Sequence, residues 1–348
     1  MKTFIFLLAG LLFSGMLSAQ NGYRIDGNIE GAEGMVYLYG MSSTVLIDSV
    51  ESRDGKFLFE GQTELPRLAA VSVSGMPPKI IILENQNISI TGKISDRASM
   101  KITGSPYTDK YDEFELKLRE IRNKRDPKLT QEENDAIRQE SEDFIHSTIK
   151  NNRDNPLGIL AFATFYRLFS PEELLGEIGK FSPDMQRTEV MVYMKSIAEA
   201  QSQTAVGKKF TDIELTGTDG KPVKLSDYAG KGKYIFVDFW ASWCGACLYQ
   251  TPHLVEQYNQ YKDKGFIVFG VSLDEKEEPW KKAIAKHKMD WIHGATFEGW
   301  DSSVVKDYGI SQLPVYVLIA PDGTIVAKNE ELIWDKLDNK LLEIYGGE

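Results

Sequence analysis

The stretch Phe239–Cys247 reads FWASWCGAC, and it decides the fold of the region around it. It follows the apolar run Tyr234–Phe239, whose aromatic and β-branched residues predict a strand. After Cys244 the apolar spacing becomes helical and predicts a helix at Gly245–Tyr261. Two cysteines three residues apart therefore lie where a strand ends and a helix begins.

This junction suits disulfide exchange. The sulfurs of Cys244 and Cys247 can reach bonding distance across the first turn of the helix, and each can also exist as a thiol. A helix N-terminus offers unpaired N–H groups and a partial positive charge, which favour a thiolate over a thiol. We therefore predict that Cys244 is the exposed nucleophile attacking a partner disulfide, and that Cys247, one turn further and more buried, resolves the mixed disulfide.

Composition narrows the classes of protein that remain. A chain of 348 residues predicts two or three domains, and its only two cysteines are too close together to act as a stabilising staple. The net charge of −11 argues against a nucleic-acid or anionic-membrane partner. The four scattered histidines and the single Cys-x-x-Cys do not supply four converging ligands, so we expect no metal, and no cofactor is predicted.

The residues around the two cysteines alternate between strand and helix patterns. This alternation predicts an α/β domain, a mixed sheet with helices on both faces, and Asp219-Gly220 and Asp322-Gly323 predict hairpin turns. The further predicted strands are Phe266–Val271, Trp291–Ala295, Val315–Ile319 and Thr324–Ala327, and the further predicted helices are Pro279–His287, Ser302–Tyr308 and Leu332–Ile344.

These motifs resemble a known family. Trp243–Cys247, with Val237–Ala241 before it, looks like the thioredoxin active site. The residues from about Phe210 onward are similar to the exported TlpA/ResA-like branch, including an extra helix and strand between Val271 and Ala295. The resemblance implies a thioredoxin-like domain at 204–348 with thiol-disulfide oxidoreductase activity. The preceding region resembles a β-plus-helix module of unknown function found before such domains in exported proteins of anaerobic gut-type bacteria.

The resemblance also implies an acid–base group. Asp238 lies six residues before Cys244, where thioredoxins bury an acid that assists proton loss from the second cysteine. TlpA/ResA-like proteins often carry a glutamate where this chain has Gln250, so Asp238 is left to supply that help. Ala246 replaces the commonest residue, proline, so the family name does not predict the reduction potential.

Two substrate-binding features follow from the same resemblance. Leu313-Pro314 matches the cis-proline loop of the family, which would place the backbone of Leu313 beside Cys244, ready to pair with a substrate strand. Trp240 and Trp243 are expected to pack around the sulfurs, and Trp243 is expected also to offer an apolar docking surface for substrates. Pro252 matches a helix-kinking proline and has a structural role.

The first residues are typical of a secretory signal peptide. Lys2 precedes the apolar run Phe4–Leu17, and Ser18-Ala19 offers a cleavage site, so we predict a signal peptide at 1–19. The alternative is a retained anchor, but the run falls short of the ~20 residues needed to span a bilayer. We expect an exported protein with no membrane span after signal removal, periplasmic in a double-membrane bacterium.

Two further regions are predicted between the signal peptide and residue 204. Short strands separated by turn residues predict an all-β sandwich-like domain at 20–105, and apolar residues at helical spacing predict a helical region at 106–203. The charged helical face at 108–155 is either solvated or a homodimer interface, and Gln201–Lys208 is predicted to be a linker. The predicted strands are Tyr23–Ile29, Met35–Tyr39, Val45–Val50, Lys56–Phe59, Leu68–Val73, Lys79–Leu83, Ile88–Lys93 and Met100–Ile102.

The leading functional hypothesis is a reductase that transfers electrons from an upstream thiol donor to protein disulfides outside the cytoplasm. A disulfide oxidant or isomerase would use the same residues. A peroxiredoxin-like peroxidase is a third hypothesis, although the Pro-x-x-x-Thr-x-x-Cys pattern of that class is missing before Cys244. A binding protein with a vestigial disulfide is the fourth.

Overall fold

A computed structural model describes residues 22–40 and 45–346 of the chain. These residues form two compact units, one reaching to Tyr166 and including Lys180–Met191, the other comprising Arg167–Gly179 and the residues from Val192 onward. Helices of the region 106–203 thus contribute to both units. The predicted signal peptide at 1–19 lies outside the described residues, and the division at 20–105, 106–203 and 204–348 stays a prediction.

The first unit begins with the eight predicted strands, and the all-β character of residues 23–103 is confirmed. They form two four-stranded sheets, in the orders β4-β1-β7-β8 and β3-β2-β5-β6. Glycine and aspartate at the predicted turns interrupt the alternating patterns and end the strands. The strands are β1 Tyr23–Glu30, β2 Gly34–Gly40, β3 Leu46–Ser52, β4 Lys56–Gly61, β5 Arg67–Val73, β6 Lys79–Leu83, β7 Asn87–Lys93 and β8 Asp96–Thr103.

Both sheets contribute to one apolar core. Ile25 and Phe59 come from one sheet, Leu38 and Val71 come from the other, and all four are buried together. Alternate residues of β1 are buried and exposed, as expected for a strand with one face on a core. Each such side chain stabilises the unit by about 1.5–3 kcal/mol.

Helices follow the sheets, and the local sequence explains where each begins. Ser105 and Asn155 cap helices that start with proline, and Thr130 forms a capping box with Glu133. Across residues 22–40 and 45–346, no helix is both long enough and apolar enough to cross a membrane. The helices are α1 Pro106–Arg122, α2 Gln131–Asn151, α3 Pro156–Phe165, α4 Pro171–Ile178, α5 Pro183–Gln186 and α6 Glu189–Gln203.

The second unit has the thioredoxin-like α/β fold that the sequence predicts. Its seven-stranded sheet has the order β10-β9-β13-β12-β11-β14-β15, with β11, β12 and β13 parallel and β14 antiparallel to β11. The elements are β9 Glu214–Gly217, β10 Pro222–Lys224, β11 Ile235–Trp240, α7 Gly245–Tyr261, β12 Ile267–Ser272, α8 Glu277–His287, β13 Ile292–Ala295, α9 Ser303–Tyr308, β14 Val315–Ile319, β15 Ile325–Lys328 and α10 Asp335–Tyr345.

The linker predicted at Gln201–Lys208 is wrong. Thr204 is fully buried, and its carbonyl accepts a hydrogen bond from the Lys328 ammonium at 3.1 Å. The side-chain amide of Gln201 donates to the carbonyl of Gly309 at 2.9 Å. The polar side chains that suggested a solvated linker instead satisfy backbone groups within the second unit.

Candidate active site

The two cysteines form a disulfide across the first turn of α7, with their Cα atoms 5.3 Å apart. Cys244 is the N-cap of the helix, and its sulfur accepts a hydrogen bond from the backbone N–H of Cys247 at 3.1 Å. Because β11 delivers the chain directly to this cap, the sulfur of Cys244 lies at the positive end of the helix dipole. A thiolate formed at Cys244 would be stabilised by this arrangement.

Both sulfurs are more enclosed than the sequence suggests. Cys244 is 7% exposed and Cys247 is 3% exposed, so the predicted order of accessibility holds, but Cys244 is not an exposed residue in the disulfide form. Both belong to the apolar cluster that fills one side of the sheet. The sulfur of Cys244 is therefore accessible from a narrow range of directions only.

The loop between β11 and Cys244 is fastened by Asp274, a residue that the sequence analysis missed. Its carboxylate accepts hydrogen bonds from the backbone N–H of Ser242 at 2.9 Å, from the Ser242 hydroxyl, and from the Ser272 hydroxyl at 2.7 Å. Asp274 is 1% exposed. Three donors converge on one buried carboxylate, which fixes the backbone two residues before Cys244.

Asp238 lies on the central strand β11 and is 4% exposed. Burial raises the pKa of its carboxyl from 3.8 to about 7, because the charged form loses its hydration. No side chain among residues 22–40 and 45–346 donates a hydrogen bond that would stabilise the carboxylate. A carboxyl that titrates near neutral pH can both accept and return a proton.

The neighbours of Asp238 on the sheet explain why this desolvation is not offset. Tyr316 on β14 and Gly270 on β12 are its register partners, and His293 on β13 is the partner of Gly270. Partners in register present their side chains on the same face. Burial lowers the pKa of His293 to about 4, so its imidazole is neutral at neutral pH.

The space at Gly270 is shared by two buried rings. A Cβ added to Gly270 would lie 2.5 Å from Nδ1 of His293 and 3.3 Å from Nε1 of Trp240. Neither nitrogen has a hydrogen-bond partner within the part of the chain that the structure describes. Glycine is thus required here by packing, and this side of Asp238 supplies no cation.

A cavity of about 10 Å³ joins Asp238 to Cys247. Its volume corresponds to roughly one water molecule. Gln250 and His253 also line it, and Nε2 of His253 lies 2.7 Å from a carboxylate oxygen of Asp338. Gln250 occupies the position at which TlpA/ResA-like proteins often carry a glutamate, so Asp238 is the acid that lines this cavity next to Cys247.

The predicted cis peptide bond is present between Leu313 and Pro314. It immediately precedes β14, the neighbour of β11. Leu313 packs against the apolar cluster that contains Cys244 and Cys247. The loop is therefore on the same apolar cluster as the disulfide, and its role in pairing with a substrate strand stays a prediction.

Trp243, predicted to dock substrates, lies directly before Cys244 and is 56% exposed. Its ring lies next to that of Trp300, with centroids 6.2 Å apart. Trp300 is 39% exposed and was not assigned any chemistry from the sequence. By contrast Trp240 is buried, as expected for a packing residue.

Comparison with known proteins bears directly on this site. Residues 206–328 match the family model described as the AhpC/TSA family. Thiol-disulfide oxidoreductase ResA of Bacillus cereus strain ZK / E33L is 31% identical over 123 residues, which are 35% of this chain and 68% of that protein. The chain belongs to the ResA-like thiol-disulfide oxidoreductases. The disulfide at the start of α7 and the thioredoxin-like fold agree with this assignment.

Further similarities are to a second ResA protein, to a solved structure and, for the first unit, to a second family model. ResA of Geobacillus kaustophilus strain HTA426 is 30% identical over 128 residues, 36% of this chain and 69% of that protein. The crystal structure of the thioredoxin domain of a Bacteroides vulgatus thiol-disulfide oxidoreductase is 40% identical, with 40% of this chain and 97% of that one covered and a TM-score of 0.37. Residues 23–111 match a domain of unknown function, DUF4369.

Within residues 22–40 and 45–346, no group of three or more His, Cys, Asp or Glu side chains is placed so that it could hold a metal ion.

Proposed function

We propose that this oxidoreductase reduces protein disulfides outside the cytoplasm, with Cys244 as nucleophile, Cys247 as resolving cysteine and Asp238 as proton acceptor. One observation carries the proposal, namely that the two sulfurs and one carboxyl follow one another in the site. A sulfur at a helix N-terminus is followed by a buried second sulfur, which shares a cavity with a carboxyl of raised pKa.

The reaction begins with the dithiol form of the protein. The thiolate of Cys244 attacks one sulfur of a client disulfide, and a Cys244–client disulfide forms as the client's second sulfur leaves as a thiolate. The backbone N–H of Cys247 and the helix dipole stabilise the attacking thiolate. The client thiolate takes a proton from water.

The second step releases the client. Asp238 accepts the proton of the Cys247 thiol, and the resulting thiolate attacks the sulfur of Cys244, which forms the observed disulfide and expels the client's remaining thiolate. Two electrons have then moved from the dithiol to the client. An upstream dithiol donor must return two electrons and two protons to restore the reduced pair.

The direction of exchange depends on the reduction potential of the pair, which we propose to be low enough for reduction of clients. Equilibration of the full chain with dithiothreitol or glutathione measures it. A potential near that of thioredoxin, roughly −270 mV, supports a reductase that needs an upstream electron donor. A potential near about −120 mV, as in strong oxidants, would overturn the proposed direction and favour disulfide formation or isomerisation.

We further propose that the protein is exported and acts in the periplasm. The sequence pattern of residues 1–19, which is typical of a secretory signal peptide, supports this. N-terminal sequencing of the protein from a cell envelope fraction tests it, with a start near residue 20 as the expected result. Self-association through residues 106–203 is a separate prediction, which sedimentation velocity measures directly.

A further inference from the structure

We propose that Trp243 and Trp300 form a docking surface for client segments carrying an arginine or lysine next to the reactive cysteine. We call it the indole surface, and it rests on the proposed function because it names the substrate class of the same site.

Two separate chain segments build the indole surface. Trp243 comes from the loop before α7, and Trp300 comes from a turn at Gly299–Asp301. Their ring planes are inclined by 47°, with 6.2 Å between centroids, so the two rings form an angled surface rather than a stack. Both remain substantially exposed, at 56% and 39%.

The turn that carries Trp300 is held in place. Gly299 has a φ of +56°, a conformation that L side chains rarely adopt, and it packs against Glu275. A Cβ at position 299 would lie 2.8 Å from Oε1 of Glu275, the end of a flexible side chain that can move, so the positive φ is the feature that favours glycine here. The segment that contains Glu275 is in turn tied to the active-site loop through Asp274 and Ser242.

The indole surface lies beside Cys244, and we therefore expect it to bind a client polypeptide. Trp243 is the residue immediately before Cys244, so a polypeptide whose disulfide reaches Cys244 approaches the segment that carries this exposed ring. Exposed tryptophan is enriched at binding surfaces because a large rigid area is buried at small entropic cost. The indole surface is thus continuous with the site of sulfur exchange.

Charge decides which client residue fits. Glu275, Glu298 and Asp301 are exposed beside the indole surface, and none has an ion-pair partner among residues 22–40 and 45–346. Lys276 is the one Lys or Arg in the two short segments that carry these carboxylates, residues 274–276 and 298–301. The active-site segment 241–255 and the cis-proline segment 309–320 contain no Lys, Arg, Asp or Glu, so they do not neutralise these carboxylates.

An arginine or lysine satisfies both features at once. Its cationic head can lie over an indole face, a contact that is favourable at exposed sites, while the unpaired carboxylates attract the same charge. A glutamate at that position meets three like charges. A neutral side chain of the same shape gains the ring contact only.

The test uses the reduced full chain and three disulfide-bonded peptides that differ only in the residue next to one cysteine, which is arginine, citrulline or glutamate. We expect kcat/KM for the arginine peptide to exceed that for the citrulline peptide about fivefold and that for the glutamate peptide more than tenfold, with both ratios shrinking in high salt. Equal values for arginine and citrulline would overturn the inference and leave an apolar contact only.

Variants locate the effect, and each has a matched control. Trp300→Leu and, separately, Glu298→Gln should each reduce the arginine preference at least twofold. Trp334→Leu, a tryptophan of similar exposure in another turn, should keep it. Asp263→Asn removes one exposed charge at the far end of α7 and should keep it as well. An unchanged preference in both Trp300→Leu and Glu298→Gln contradicts the assignment.

A small neutral substrate separates this inference from the proposed function. If the reduced protein fails to reduce bis(2-hydroxyethyl) disulfide and all three peptides, the proposed reductase activity itself is wrong. If it reduces all of them without preference, the reductase activity stands and the indole surface is not a charge-selective docking site.

Discussion

Replacement of Asp238 by asparagine should change how the stability of the second unit depends on pH. The pKa of Asp238 is raised from 3.8 to about 7 in the folded protein. Between these two pH values the folded state keeps a proton that the unfolded state loses. The stabilisation is therefore complete below the unfolded pKa and is lost as the pH rises through the folded pKa.

The magnitude follows from the shift. Each unit of pKa difference corresponds to about 1.36 kcal/mol, so the free energy of unfolding contributed by this carboxyl should fall by about 3 kcal/mol between pH 5 and pH 8. Asparagine has almost the same shape and does not titrate. The difference in unfolding free energy, Asp238→Asn minus wild type, should increase by that amount over the same interval.

Urea unfolding of the oxidised full chain measures this difference, and the disulfide form removes thiol titration from the comparison. All six tryptophans lie between Trp240 and Trp334, so tryptophan fluorescence reports the second unit alone. The surface variant Asp263→Asn is the control and should follow the wild type. A difference curve for Asp238→Asn that is flat from pH 5 to pH 8 would refute the raised pKa.

The other predictions concern the sulfurs, the loop and the first unit. Cys247→Ser should accumulate mixed disulfides with clients on non-reducing gels, whereas Cys244→Ser should form none and lose turnover. Asp274→Asn should lower the free energy of unfolding of the second unit by about 1–3 kcal/mol, because a buried carboxylate that accepts three hydrogen bonds is replaced by an amide with one acceptor oxygen. Ser242→Ala should lower it less. Urea unfolding followed by tryptophan fluorescence measures both changes. Phe59→Ala should destabilise the first unit by about 3–5 kcal/mol, measured by hydrogen exchange with mass spectrometry.

Each of these has a result that contradicts it. A Cys247→Ser protein that traps nothing would reverse or remove the assignment of nucleophile and resolving cysteine. Wild-type stability in Asp274→Asn would show that the network around Ser242 is solvated rather than buried. Unchanged hydrogen exchange in Phe59→Ala would mean that the core of the first unit closes over the missing ring.

Much of the fold could be predicted from the sequence because local signals agree with one another. The eight strands of the first unit are short alternating runs ended by glycine, aspartate or proline, and each was predicted near its observed bounds. The caps at Ser105, Thr130 and Ser170 place helix starts in the same way. In the second unit, the CxxC at the junction of β11 and α7 carries the resemblance that predicted the cis bond before Pro314.

The residues that were missed lie far from the motif in sequence. Asp274 and Trp300 reach the active-site loop only because β12 runs parallel to β11 and the following segments return to the same end of the sheet. A single aspartate or tryptophan has no periodicity that marks such a contact. Polarity misled the interpretation of Gln201–Lys208, since it does not distinguish a side chain in water from one bonded to buried backbone.

The path of the chain between the two units limits how this protein can be divided. It passes from one unit to the other after Tyr166, after Gly179 and again after Met191. No single proteolytic cut or gene truncation can therefore release either unit whole. A fragment that starts at Thr204 would lose α4 and the whole of α6. Recombination that exchanges the second unit between proteins would have to carry these helices with it.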